Sequence, residues 1–349
     1  MPRPSFYWLL VLVPISFVCE FVVRQPIVVF VTSALAIVPL AAVLGRATEQ
    51  LAIHSGPRVG GLLNATFGNI TELIISVLLI AAGEFTVVKA SLIGSILGNL
   101  FLVMGASVLA GGLRYPEQSF SIRSAGVHAS SLLLAVTALL MPALFVNTSP
   151  STPSQRLSIS VVVAVVLIVL YVAALLFTQV THVGLFRTPQ SDERPEWSRL
   201  RAILVLLLSA LVVGVESEFL VGSLEPTVHA FGLSRVFVGL VVVAIVGNAA
   251  EHASAVFFAI RDKMDVAMEI SFGSSTQIAL FVAPLLVFIS ILIGHPMDFV
   301  FSGLEVIAVA LATISVAAIV LDGRTNWLEG AQLLGAYLII AATFFFVGG

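Results

Sequence analysis

Two short stretches carry the residue types that bind hard cations. Gly68-Asn69-Ile70-Thr71-Glu72 and Gly247-Asn248-Ala249-Ala250-Glu251 each place an amide and a carboxylate three residues apart. Residues three apart share a helix face, so each stretch aims both oxygens at one place. The glycine before each asparagine lowers helix propensity by about 1 kcal/mol and removes a side chain. A neighbouring helix can then approach, or the helix can kink and release a main-chain carbonyl. Two such stretches facing each other make an all-oxygen site suited to Ca2+, which takes about 6–8 oxygens. A single cysteine, Cys19, and the absence of paired histidines leave nothing to favour zinc or copper.

The surroundings make these carboxylates expensive. The chain has 349 residues, 59% hydrophobic and only 10% charged, with a net charge of −3. Soluble domains carry about 25% charge, so this chain cannot cover a water-facing surface. A soluble enzyme, a disordered chain and a nucleic-acid binder are excluded. The long unbroken apolar runs also exclude a β-barrel. The expected class is an all-α polytopic membrane protein of about eleven spans: 6–23, 26–45, 59–82, 86–110, 125–146, 157–180, 201–221, 236–260, 265–293, 298–321 and 327–347. The first lacks a small-residue cleavage site and carries Pro14, Cys19 and Glu20, unlike a cleaved signal peptide. Glu72 and Glu251 fall mid-span, where a carboxylate costs at least about 2.5 kcal/mol.

Sliding the sequence by 179 residues aligns Gly60 with Gly239, Gly68-Asn69 with Gly247-Asn248, Glu72 with Glu251, and Gly94-Ser95 with Gly273-Ser274. The expected organisation is a first helix outside the repeat (1–24), a five-helix repeat (25–181), a cytoplasmic linker (182–200) and a second five-helix repeat (201–349). An odd number of spans inverts the second unit, the arrangement found in secondary transporters with an ion site at the midplane. Twelve of the sixteen Lys and Arg lie on one side of this topology; Arg24, Lys89, Arg156 and Arg235 lie on the other. That asymmetry predicts a cytoplasmic N-terminus and an outer C-terminus.

The span after each motif reads as support. Ser91, Gly94, Ser95, Gly98 and Asn99 follow the first; Ser271, Gly273, Ser274, Ser275, Thr276 and Gln277 follow the second. The serines either pack helices or touch the site. Asn99 and Gln277 belong at or beside it, because an unpaired amide in hydrocarbon is costly. Two carboxylates in a dry site cannot both ionise cheaply, so Ca2+ and protons compete for them. Glu216 and Glu218, near the outer end of span seven, form either a cation entry path or a solvated helix end. Glu49 and His54 read as a solvated end, His252 as a hydrogen-bonded packing residue in preference to one that tunes a proton path, and Glu305 as a weak candidate inside span ten. Glu269 lies either in the cavity or at the inner interface.

These motifs resemble the Ca2+/H+ antiporters, the cation/proton exchanger (CAX) branch of the calcium/cation antiporter superfamily. The matching residues are the run from Gly60 to Asn69 with Glu72, Gly94 to Asn99, Gly247 to Ser254, Lys263-Met264-Asp265, Gly273 to Gln277 and Asn326 to Gly330. The resemblance implies one helix plus two inverted sets of five, with Glu72 and Glu251 essential. Asn69, Asn248, Ser95, Asn99, Ser274 and Gln277 would line the site beside Gly68 and Gly247. It implies Ca2+ export against proton entry by alternating access, no permanently bound cofactor, and a plasma-membrane location for so compact a chain. The 182–200 linker departs from the family's acidic segment by mixing both signs of charge, and Ile70 stands where alanine is usual. The alternative is a Na+-coupled Ca2+ exchanger on the same fold. An intramembrane hydrolase is disfavoured, since no His-Glu-x-x-His motif is present. The glycine faces at Gly56, Gly60, Gly94 and Gly98 serve repeat packing or contact with a second copy equally well.

Overall fold

In a computed structural model, residues 4–182 and 195–347 are described, so the central part of the linker, including Arg187, Asp192, Glu193 and Arg194, lies outside the described residues. Eight helices among them are long and apolar enough to cross a membrane: α2 (Pro26–Gly56), α4 (Phe85–Gly112), α5 (Ile122–Thr148), α6 (Pro153–Thr181), α7 (Arg199–Gly222), α8 (Arg235–Ala259), α9 (Met264–Leu292) and α11 (Trp327–Val347). Three shorter apolar helices, α1 (Tyr7–Val23), α3 (Ile70–Ala81) and α10 (Gly303–Ile319), complete the eleven expected positions.

Two boundaries differ from expectation. The second and third spans are not separate helices joined by a loop. Helix continues from Pro26 to Phe67 except at Gly56, whose φ of 76° and ψ of 169° suit glycine alone. The expected 59–82 span is then cut at Gly68-Asn69, where Asn69 takes φ −98° and ψ 24° before α3 begins. The tenth span starts at Gly303 rather than 298, so Glu305 sits in the first turn. Its carboxylate accepts from Ser302 N at 2.7 Å while Ser302 Oγ accepts from Glu305 N at 3.3 Å, a capping box rather than a mid-membrane ligand.

The chain forms two compact units. The first comprises Met1–Ala82, Ala173–Leu233 and Val246–Ala250. Here α2 runs along α7, and Leu40, Leu44 and Ala47 interlock with Leu206 and Val213. Leu10 and Val13 of α1 and Ile70 and Ile74 of α3 close over that core. The described end of the linker is tied to α2: Arg46 pairs with Glu196, and Gln50 Oε1 accepts from Glu196 N at 2.8 Å and Trp197 N at 3.1 Å. Exposed His54 meets Trp197 O at 2.7 Å.

The second unit comprises Gly83–Val172, Ser234–Ile245 and Glu251–Gly349. Its tightest seam joins α4 to the start of α8. A Cβ on Gly94 would collide with the Leu240 carbonyl, and one on Gly239 would stand 2.5 Å from the Val87 carbonyl. Main chains thus touch through glycine, as membrane helices pack without a hydrophobic drive. Gly330 on α11 approaches Leu109 of α4 in the same way. Wide π-type turns interrupt α4 at Gly98–Val103 and α9 at Ile278–Val282, positions about 179 residues apart. Such turns accumulate at functional sites, and here they begin at or beside Asn99 and Gln277. A two-stranded ribbon, β1 (Gln118–Ser119) with β2 (Arg324–Thr325), links two loops at one end of the unit.

Candidate cation site

The first unit gathers Asn69, Glu72, Gly247 and Asn248. Asn69 and Asn248 are fully buried, and Glu72 nearly so. The helix break sets Glu72 in the first turn of α3, where unpaired main-chain amides and the helix dipole favour negative charge. Gly247 makes room for it: a Cβ there would lie 3.0 Å from Glu72 Cγ. Gly68 keeps helical angles and is half-buried, so the departure from helix falls on Asn69.

The second unit holds Glu251, Ser95, Asn99, Ser274 and Gln277. Glu251 lies three residues beyond Asn248 on α8, which continues unbroken through its Gly-Asn pair. Asn99 Nδ2 donates to Ser274 Oγ at 2.9 Å, and the Ser274 hydroxyl donates to the Glu251 carboxylate. Glu251 Oε2 is buried with no hydrogen-bond partner among the described residues. Ser95 is buried and Gln277 half-buried. Buried Thr276 Oγ1 also has no partner among them. Among the described residues no three His, Cys, Asp or Glu side chains cluster as metal ligands. Each unit thus sets one of these carboxylates among neutral oxygens, amides beside Glu72 and an amide and a hydroxyl beside Glu251, the donor types a hard ion takes.

Other candidates separate. Glu218 is exposed, whereas Glu216 is fully buried and accepts from Ser16 Oγ at 2.7 Å, so only Glu218 fits a solvated end. Phe17 stacks edge-on against Phe219 at 5.2 Å beside that bond. The first helix, expected as an anchor outside the repeat, therefore also covers a buried acid. His252 Nε2, expected to be hydrogen-bonded, is buried without a partner among the described residues. Sequence reasoning passed over His128, which meets Glu269; the two are 141 positions apart and share no motif.

A family model described as sodium/calcium exchanger protein matches residues 25–180 and again 201–346. A Ca2+/H+ antiporter of Synechocystis sp. is 46% identical over 98% of this chain and 97% of that protein. The Ca2+/H+ antiporter ChaA of Bacillus subtilis is 44% identical, covering 95% of this chain and 96% of its own. The chain belongs to the Ca2+/H+ antiporter (CAX) family. The structure of native YfkE superposes with a TM-score of 0.87 at 41% identity, over 98% of this chain and 99% of that one. This CAX chain is thus a helical, multi-pass membrane transporter.

Proposed function

We propose that this CAX chain exports Ca2+ from the cytosol in exchange for protons by alternating access, with both ions competing for the carboxylates of Glu72 and Glu251. The observation that carries the exchange reaction is near-full-length identity to Ca2+/H+ antiporters, 46% over 98% of the chain. The assignment of the two glutamates is supported by their equivalent places in the 179-residue repeat and by the oxygen-rich, buried surroundings of each. Asn69 and Asn248 supply amide oxygens to the ion, and Ser95, Asn99, Ser274 and Gln277 orient or complete the donor set.

Facing the cytosol, Glu72 and Glu251 lose protons and take Ca2+, whose charge balances theirs. Facing outward they release Ca2+ and take protons, which return the site to neutrality. Each loaded site can cross, because neither leaves an uncompensated charge in low dielectric. The empty, ionised site crosses poorly, and that keeps the two fluxes coupled. The Lys and Arg asymmetry supports a plasma-membrane orientation with the N-terminus cytoplasmic and the C-terminus outside.

The test is Ca2+ uptake into proteoliposomes under an imposed pH gradient, with and without Na+. Uptake that requires the proton gradient, ignores Na+ and disappears in Glu72→Gln and Glu251→Gln is the expected result. Uptake that follows a Na+ gradient would replace the coupling ion. Near-normal exchange in either variant would remove that glutamate from the mechanism.

A further inference from the structure

Where the described end of the linker meets α2 and α7, the first unit carries cations that its own fold does not use. Trp197 is fixed there. Its N donates to Gln50 Oε1, its O accepts from His54 Nε2, and its ring packs at the edge of the core formed by Leu40 and Leu44. Two guanidinium groups lie over that ring, Arg46 at 5.5 Å and Arg201 at 4.9 Å from its centroid. Arg46 is occupied, since it pairs with Glu196 and donates to the Tyr7 hydroxyl at 2.8 Å. Arg201 is exposed and meets no carboxylate among the described residues, and the same holds for Arg199.

Helix stability does not ask for these two cations. Both stand in the first turn of α7, where the helix dipole disfavours positive charge. Water alone does not surround them either. Arg201 heads an apolar stripe, because Leu204, Leu208 and Leu211 follow it on the same helix face and all are exposed. In a membrane protein such a stripe faces lipid chains, so Arg201 sits where hydrocarbon gives way to water. Trp8, which follows the Tyr7 bonded to Arg46, is exposed at the same end. Trp and Tyr collect at the headgroup level of a bilayer, which sets this end of the unit at that depth.

We propose that Arg201 and Trp197, together with Arg199, bind the phosphate of an anionic phospholipid such as phosphatidylglycerol, whose acyl chain lies along Leu204 and Leu208. A guanidinium fork matches phosphate through two parallel N–H···O bonds. The Trp197 ring holds that fork in place by stacking, which leaves its charge unneutralised. The other charged groups at this end are Arg46, Glu196 and Glu49, with His54 as a further titratable group. Of the two acids, Glu196 is taken by Arg46 and Glu49 is on α2. A zwitterionic lipid offers the same phosphate but brings an ammonium that the arginines repel. Free phosphate would leave the leucine stripe uncovered. Both features select an anionic lipid.

The test uses the full chain in detergent, with Trp8→Phe and Trp327→Phe leaving Trp197 as the one tryptophan. Its emission would be titrated with phosphatidylglycerol, phosphatidylcholine and sodium phosphate. Phosphatidylglycerol should give a saturable change, at least about tenfold tighter than phosphatidylcholine, and millimolar phosphate should give none. Arg201→Gln should weaken phosphatidylglycerol binding about fivefold, and Arg199→Gln added to it about 25-fold in all, with the unfolding temperature kept. Arg24→Gln, which removes an exposed arginine from before the opposite end of α2, should change nothing. Phosphatidylglycerol retained through purification, counted by mass on protein with all three tryptophans, should fall in the same order. Equal affinity for the two lipids would overturn the proposal, as would wild-type affinity in the double variant. A loss as large in Arg24→Gln would overturn it too, since that marks diffuse attraction to the whole chain. An equal response to sodium phosphate would overturn the lipid as the occupant.

Discussion

The same motif takes two backbones in the two halves of this protein. Around Glu72 the helix is interrupted at Asn69 and starts again; around Glu251 it runs on through Gly247 and Asn248. The residues between asparagine and glutamate explain the difference. Ile70 and Thr71 are β-branched and lose side-chain freedom in a helix, whereas Ala249 and Ala250 are the best helix formers. The replacement of alanine by Ile70, expected to affect packing, coincides with a change in the main chain itself. Glu72 gains a helix N-terminus, and Glu251 gains a hydroxyl donor, Ser274, that is itself held by Asn99. Two stretches with the same residues can thus set their carboxylates in different surroundings.

The repeat-related glycines diverge as well. Gly94 and Gly239 seat main chain against main chain within the second unit. The counterpart of Gly94 does not, since Gly273 is open apart from Glu269; the counterpart of Gly239 does, but Gly60 meets the Ala52 main chain across the Gly56 break.

The largest expected effect treats the halves as equal. Glu72→Gln and Glu251→Gln should each abolish Ca2+/H+ exchange in proteoliposomes, and loss in only one would show that a single half carries the ion. Next comes the glycine pair. Gly94→Ala meets a backbone carbonyl and should cost about 1–3 kcal/mol, seen as a lower unfolding temperature in detergent. Gly273→Ala should stay within about 0.5 kcal/mol of wild type, and equal losses would erase the contrast. Ser274→Ala removes the donor to Glu251. If that carboxylate is ionised when it binds Ca2+, the lost bond is worth about 1.5–3 kcal/mol and should raise the KM for Ca2+ about tenfold or more. Gly247→Ala presses on Glu72 Cγ and should raise the KM without unfolding the protein, by less than the Ser274 change. The smallest effect should come from Ile70→Ala with Thr71→Ala. Together these favour helix by about 1 kcal/mol, and slower amide exchange across residues 68–72 would mark a healed break. Unchanged exchange there would mean that packing, not propensity, sets the interruption.

Much of this was legible before any coordinates. Runs of about 20 apolar residues located the helices because a bilayer demands that length, and the 179-residue offset paired the glutamates because repeats keep chemistry in register. Helix ends were less legible. Glu305 looked intramembrane until the helix start made it a cap, and the expected span ends at 45 and 59 hid a helix that runs from Pro26 to Phe67 with its one break at Gly56. His128 with Glu269 and Ser16 with Glu216 were invisible for a plainer reason, since neither pair shares a motif, a spacing or a helix.

By itself, then, the sequence determined that this is a helical membrane protein of the CAX family with two paired Gly-Asn-x-x-Glu stretches, because hydropathy and local spacing are properties of contiguous chain. Tertiary structure alone decided which glycines would touch backbone and which distant side chains would meet Glu216, Glu251 and Glu269. Those outcomes depend on packing between segments more than a hundred residues apart, where small differences in propensity and side-chain volume select one arrangement over another.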